Sequence, residues 1–166
     1  MAGIDENLWN ADIGPSDYTG GEETYQGAVL EQYKLCVEMA DRVSSRRNLT
    51  NTFFLTLNTA VTAAAAAGGG IHGSAWVRLA GLVILLTQCL AWFMTMRSYR
   101  QLNAAKFAVI GALERRLPAL AYSDAEWVAL GEGRDWRRYL PLTYVEQWVP
   151  LIFAAAYAVG FLATVV

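Results

Sequence analysis

Three apolar stretches, Phe53–Ile71, Trp76–Met96 and Trp148–Val166, constrain this chain more than any other feature of its sequence. Each approaches the ~20 residues that a helix needs to cross the hydrocarbon core of a bilayer. Basic residues stand on one side of all three: Arg42, Arg46 and Arg47 before the first, Arg97, Arg100 and Lys106 after the second, Arg134, Arg137 and Arg138 before the third. Arg78 alone falls near the other face. Loops rich in Lys and Arg stay in the cytoplasm, so the pattern predicts a chain that starts inside, crosses three times and finishes outside. The expected fold class is all-α: an integral membrane protein with three transmembrane helices, long helices extending into the cytoplasm, and a small helical cytoplasmic connector.

Composition points the same way. The 166 residues are 55% hydrophobic and the mean hydropathy is positive, which is high for a soluble domain. The net charge of −2 conceals an acidic opening, in which Asp5, Glu6, Asp12, Asp17, Glu22 and Glu23 all precede the first basic residue, Lys34. With Gly14-Pro15 and Gly20-Gly21, residues 1–24 read as a flexible acidic leader. It lacks the basic start and apolar run of a signal peptide. Arginines that crowd the membrane ends serve topology first, which argues against nucleic acid as a partner. Cys36 and Cys89 fall on opposite sides of the expected cytoplasmic boundary, and two thiols with one histidine form no metal-ligand pattern. Reduced cysteines and no cofactor are expected.

Residues 25–47 read as a cytoplasmic helix. Val29, Tyr33, Cys36, Ala40 and Val43 recur at steps of three or four and make one apolar stripe, suited to packing on neighbouring helices. Neither proline nor glycine interrupts Glu31 to Ala67, so this helix should run straight into the membrane. Residues 48–97 form a transmembrane hairpin, with spans at about 53–71 and 76–96 joined by a tight external turn through Gly68-Gly69-Gly70, His72 and Gly73. The second helix meets no proline before Pro118. It should extend ~60 Å at 1.5 Å per residue, about twice the bilayer core. Residues 98–147 make the cytoplasmic helical region, where Ser123-Asp124-Ala125-Glu126 has the form of a capping box opening a helix over 124–130. Trp136, Tyr139, Tyr144 and Trp148 are placed as interfacial anchors beside the arginines. Residues 148–166 form the third transmembrane helix.

The first span is the unusual one. At 100° per residue, Asn48, Asn51, Asn58, Thr59 and Thr62 share a sector opposite Phe53, Phe54, Leu57 and Val61. An asparagine amide facing lipid is left unsatisfied, so this stripe must meet protein or water. It either hydrogen-bonds across helix contacts or lines a polar passage on a symmetry axis. Asn51, Asn58, Thr59 and Thr62 are therefore candidates for an oligomer interface or axial lining. Glu31, Arg42, Arg97 and Arg100 are candidates for charges that join the cytoplasmic helices, and Gln88 for an interhelical hydrogen bond. The Ala63–Ala67 run and the Ala156, Gly160 pair allow close helix approach and favour self-association.

Chemistry is harder to find. No Asp, Glu, Lys or Arg occupies the membrane interior, which argues against a proton relay or an ion-coupled transporter. His72 stands far along the chain from Cys36 and the carboxylates, so no nucleophile–base pair is indicated. The triple glycine lacks the strand and Lys-Ser/Thr context of a phosphate loop. A non-enzyme is expected.

Several segments together resemble the RipA-type family of bacterial octameric membrane proteins. They are Glu31–Arg42 with Arg46-Arg47 and Thr52–Leu55; Arg97–Asn103 with Ala105–Phe107, Leu113-Glu114 and Leu117-Pro118; and Glu126-Trp127, Leu142–Glu146 and Val149-Pro150. The resemblance spans residues 31–157. It implies a homo-octamer of the inner membrane with a cytoplasmic helical portion, linked to envelope homeostasis or stress, and no defined reaction. The leading expectation is a homo-oligomeric scaffold or channel-like assembly among membrane lipids, with the amino end cytoplasmic and the carboxyl end extracytoplasmic. A regulatory adaptor is the alternative, with Ile4, Leu8, Trp9 and Ile13 of the leader recruiting a cytoplasmic protein partner. A membrane enzyme comes third.

Overall fold

The computed structural model describes residues 3–67, 74–133, 137, 139 and 142–165. Among them the chain is helical and has no strand. The helices are α1 (Gly3–Leu8), α2 (Gly21–Ala67), α3 (Ala75–Glu114), the single turn α4 (Trp127–Ala129) and α5 (Leu142–Val165).

Local chemistry explains the boundaries. Gly21, at φ 62°, turns the chain into α2 from the left-handed region that glycine tolerates, and Glu22 and Glu23 then complement the helix dipole. α2 continues through Gly27 and then along the breaker-free run from Glu31 to Ala67, 47 residues in all. The Ser74 carbonyl accepts from the N–H groups of Val77 and Arg78 at the start of α3. At its end, bonds from Arg116 N to the Leu113 carbonyl and from Leu117 N to the Glu114 carbonyl tighten the last turn ahead of Pro118. α5 begins six residues before the expected third span and holds Pro150 in its interior.

Two helices are long and apolar enough to cross a membrane, Ala75–Glu114 and Val145–Ala163. The expected first crossing, Phe53–Ile71, does not reach that standard among the described residues. Thr56, Asn58, Thr59 and Thr62 dilute its apolar run, and residues 68–71 lie outside the described residues. The turn through Gly68–Gly70 and His72 also lies outside them, as do Trp136 and the side chain of Tyr144.

The chain divides into two compact units. The first comprises Met1–Ser44 and Gln101–Leu140, the second Ser45–Arg100 and Pro141–Val166. In the first unit the buried apolar side chains are Val29, Ala40 and Val43 of α2 with Ile110, Ala112 and Leu113 of α3. A Cβ on Gly111 would come within 3.0 Å of the Ser123 Cβ, so glycine there lets the following segment lie close against α3. That segment, Ala121–Glu126, is a π-helical turn with no side-chain cap. The expected capping box does not form, because the Ser123 N–H donates instead to Glu114.

The acidic leader carries more structure than a solvated segment would. After α1, the Gly14 N–H donates to Asp17 Oδ2 at 2.8 Å across a turn at Pro15–Asp17. The Arg116 guanidinium stacks 3.4 Å over the Trp9 ring and donates to the Tyr25 hydroxyl at 3.0 Å. Tyr25 in turn meets Tyr18 edge to face. Trp9 and Tyr18 of the leader thus meet Arg116, just past α3, and Tyr25 of α2.

Candidate functional site

The second unit inverts the pattern of a water-soluble core. Its most enclosed polar side chain is Asn58, with no exposed surface. Ile84, Val83, Leu90, Ile152, Val159 and Leu162 are instead each more than half exposed. Around Asn58 the hydrogen bonds close within one subunit. The Asn58 amide donates to the Phe54 carbonyl at 2.8 Å. The Tyr157 hydroxyl donates to Asn58 Oδ1 at 2.9 Å, and the Cys89 thiol points at the same oxygen from 3.7 Å. The Thr62 hydroxyl donates to the Asn58 carbonyl at 2.8 Å.

One turn away, the Trp92 indole N–H donates to Asn51 Oδ1 at 3.0 Å. The buried Trp92 ring stacks on Phe54 at 5.7 Å and meets Phe153 at 6.0 Å. In this seam of α2, α3 and α5 the side-chain oxygens of Asn51 and Asn58 accept from Trp92 and Tyr157, partners that the pattern along α2 cannot reveal. Thr59 and Thr62 are exposed. Interhelical side-chain bonds in membranes average ~0.6 kcal/mol. Tyr157→Phe should therefore lower subunit stability by only about 0.6 kcal/mol in a thermal or steric-trap unfolding measurement.

One end of the seam is charged. Arg47 Nε approaches Glu146 Oε2 to 3.4 Å with both side chains largely enclosed, and Arg100 donates to Gln147 Oε1 at 3.2 Å. Arg100 and Arg47 thus each reach α5 from another helix. Glu31 and Arg42 bond within α2 instead, Glu31 to Lys34 at 2.7 Å and Arg42 to Glu38 at 2.6 Å. A turn's spacing along one helix satisfies them locally. Arg97 is exposed, as are Trp148 and Tyr139. The Gln88 amide nitrogen is buried with no hydrogen-bond partner among the described residues.

In the first unit the polar node is Glu114, fully buried at the end of α3. Its carboxylate accepts from the Tyr122 N–H at 3.0 Å, the Ser123 N–H at 2.8 Å and the Tyr33 hydroxyl at 3.1 Å. Burial alone would raise its pKa. The Ser123 hydroxyl, those two backbone N–H groups and Tyr33 outweigh burial and hold the carboxyl below the usual range. Tyr33 is pushed up to about 12, first by burial and then by its bond to Glu114. The node was missed in the sequence, although Glu114 lies one turn after Ile110 on the same buried face.

A broad groove of about 790 Å³ opens beside this node, lined by Phe107, Tyr122, Trp127 and Leu130 with Arg115 and Glu126 among its polar members. Ile4 of the leader also reaches it. Among the described residues no group of three or more His, Cys, Asp or Glu could hold a metal ion.

Residues 30–166, most of the chain, match the octameric membrane protein family (8xMP). The chain belongs to that family. Membership in 8xMP covers most of the first unit and all of the second, and it accords with the two apolar helices. No curated protein and no solved structure matches the chain significantly.

Proposed function

We propose that this 8xMP member is a non-enzymatic homo-octamer of the bacterial cytoplasmic membrane. It acts as a scaffold whose second unit lies in lipid and whose first unit lies in the cytoplasm. The inverted second unit carries the reading. Many of its large apolar side chains, Ile84, Leu90, Ile152 and Leu162 among them, point outward, where hydrocarbon is a better solvent than water, while the Asn58 and Asn51 oxygens are bonded to neighbouring helices. On this reading α2 supplies the first of three crossings. Asn51 and Asn58, too polar for lipid alone, bond to α3 and α5.

A scaffold is favoured over a channel because the side chains best suited to line a passage are occupied within the subunit. It is favoured over an adaptor because Trp9 of the leader is already engaged with Arg116. Native mass spectrometry from lipid nanodiscs should give eight copies. Planar bilayers holding the reconstituted protein should conduct no more than protein-free bilayers. A different copy number removes the octamer, and a reproducible unitary conductance removes the scaffold.

A further inference from the structure

The first unit bears two apolar surfaces that the subunit does not cover. On α2, Leu35 and Met39 stand one turn apart and are 58% and 48% exposed. They lie roughly a quarter of a turn round the helix from the buried stripe of Val29, Ala40 and Val43, at 100° per residue. The second surface is the groove of about 790 Å³, in which Phe107 and Trp127 remain 46% and 47% exposed. Apolar surface of this extent in a water-facing unit marks an interaction site.

We infer that these surfaces are the two halves of one contact between subunits: the Leu35–Met39 ridge of each copy seats in the Phe107–Trp127 groove of the next. The inference rests on the proposed octamer and goes beyond it by naming the faces. Subunits that share one orientation in the membrane can close only about an axis along its normal. Such a ring is head-to-tail, so every copy must offer two different, complementary surfaces. The ridge and the groove are two such surfaces on the same unit. Their charges are compatible. The Glu31–Lys34 and Glu38–Arg42 pairs neutralise the flanks of the ridge, and the groove contributes Arg115 and Glu126, of opposite sign.

The test uses the full chain in nanodiscs. A photoreactive side chain replacing Met39, in octamers mixed from heavy- and light-isotope subunits, should give heavy–light cross-links that map to residues 104–130. Leu35→Glu with Met39→Glu should abolish the eight-copy species while leaving the helical content and melting of the released subunits unchanged. Trp127→Glu should do the same from the opposite face. Cross-links to α2 itself, to lipid or to another protein would overturn the contact, as would octamers that survive the double substitution. A wild-type protein that is not octameric would instead remove the reading on which the contact rests.

Discussion

Replacing Trp92 with alanine should destabilise the subunit by about 3 kcal/mol, the low end of the range for truncating a buried tryptophan. Trp92 has no exposed surface, stacks on Phe54, packs on Phe153 and donates to Asn51. The low end applies because lipid, unlike water, does not penalise an apolar ring that leaves the bundle. What remains is the lost packing and the stranded Asn51 oxygen, both costly inside hydrocarbon. Trp92→Phe keeps most of the ring contact and loses the hydrogen bond, so it should cost about 1 kcal/mol or less beyond small packing changes. Equilibrium unfolding in mixed micelles measures both. Near-equal losses for the two variants would mean that the hydrogen bond, not the packing, dominates.

Glu114→Ala should cost about 3 kcal/mol in the first unit, because hydrogen bonds to a charged group contribute ~1.5–3 kcal/mol each and two of the donors lie on a segment that water can reach. The carboxylate ties the N–H groups of Tyr122 and Ser123 and the Tyr33 hydroxyl to the end of α3. Its loss should free the Ala121–Glu126 turn and raise amide hydrogen exchange there. The pH dependence has a definite sign. The folded carboxyl is held below its ordinary value, so its stabilisation is complete above the unfolded pKa and disappears as pH falls through the folded one. Melting of the wild type should therefore fall more steeply from neutral to acid pH than that of Glu114→Gln. Parallel curves would show that Glu114 does not carry that dependence.

Much of the architecture was legible along the chain. The breaker-free run from Glu31 to Ala67, the uninterrupted stretch before Pro118 and the stripe of Val29, Ala40 and Val43 are one-dimensional signals, and each became helix or buried face. The polar stripe of Asn51 and Asn58 was equally visible, yet its partners were not. Trp92, Cys89 and Tyr157 stand 31 to 99 residues away in sequence, and no periodicity connects them. Glu31 and Arg42 show the opposite case. Read along the chain as links between helices, they each pair one turn away on their own helix in the structure.

Helix, hydropathy and charge asymmetry follow from local chemistry, so the sequence by itself determined that this chain is helical and suited to a membrane. Where a polar side chain finds its partner depends on which helices meet. Only the tertiary structure could turn Asn58 inward onto Tyr157, close Glu114 over the Tyr122–Ser123 turn, and leave Leu35, Met39 and the Phe107–Trp127 groove uncovered. The physical reason is that hydrogen bonding and burial are properties of neighbours in space, and a sequence fixes only neighbours along the chain.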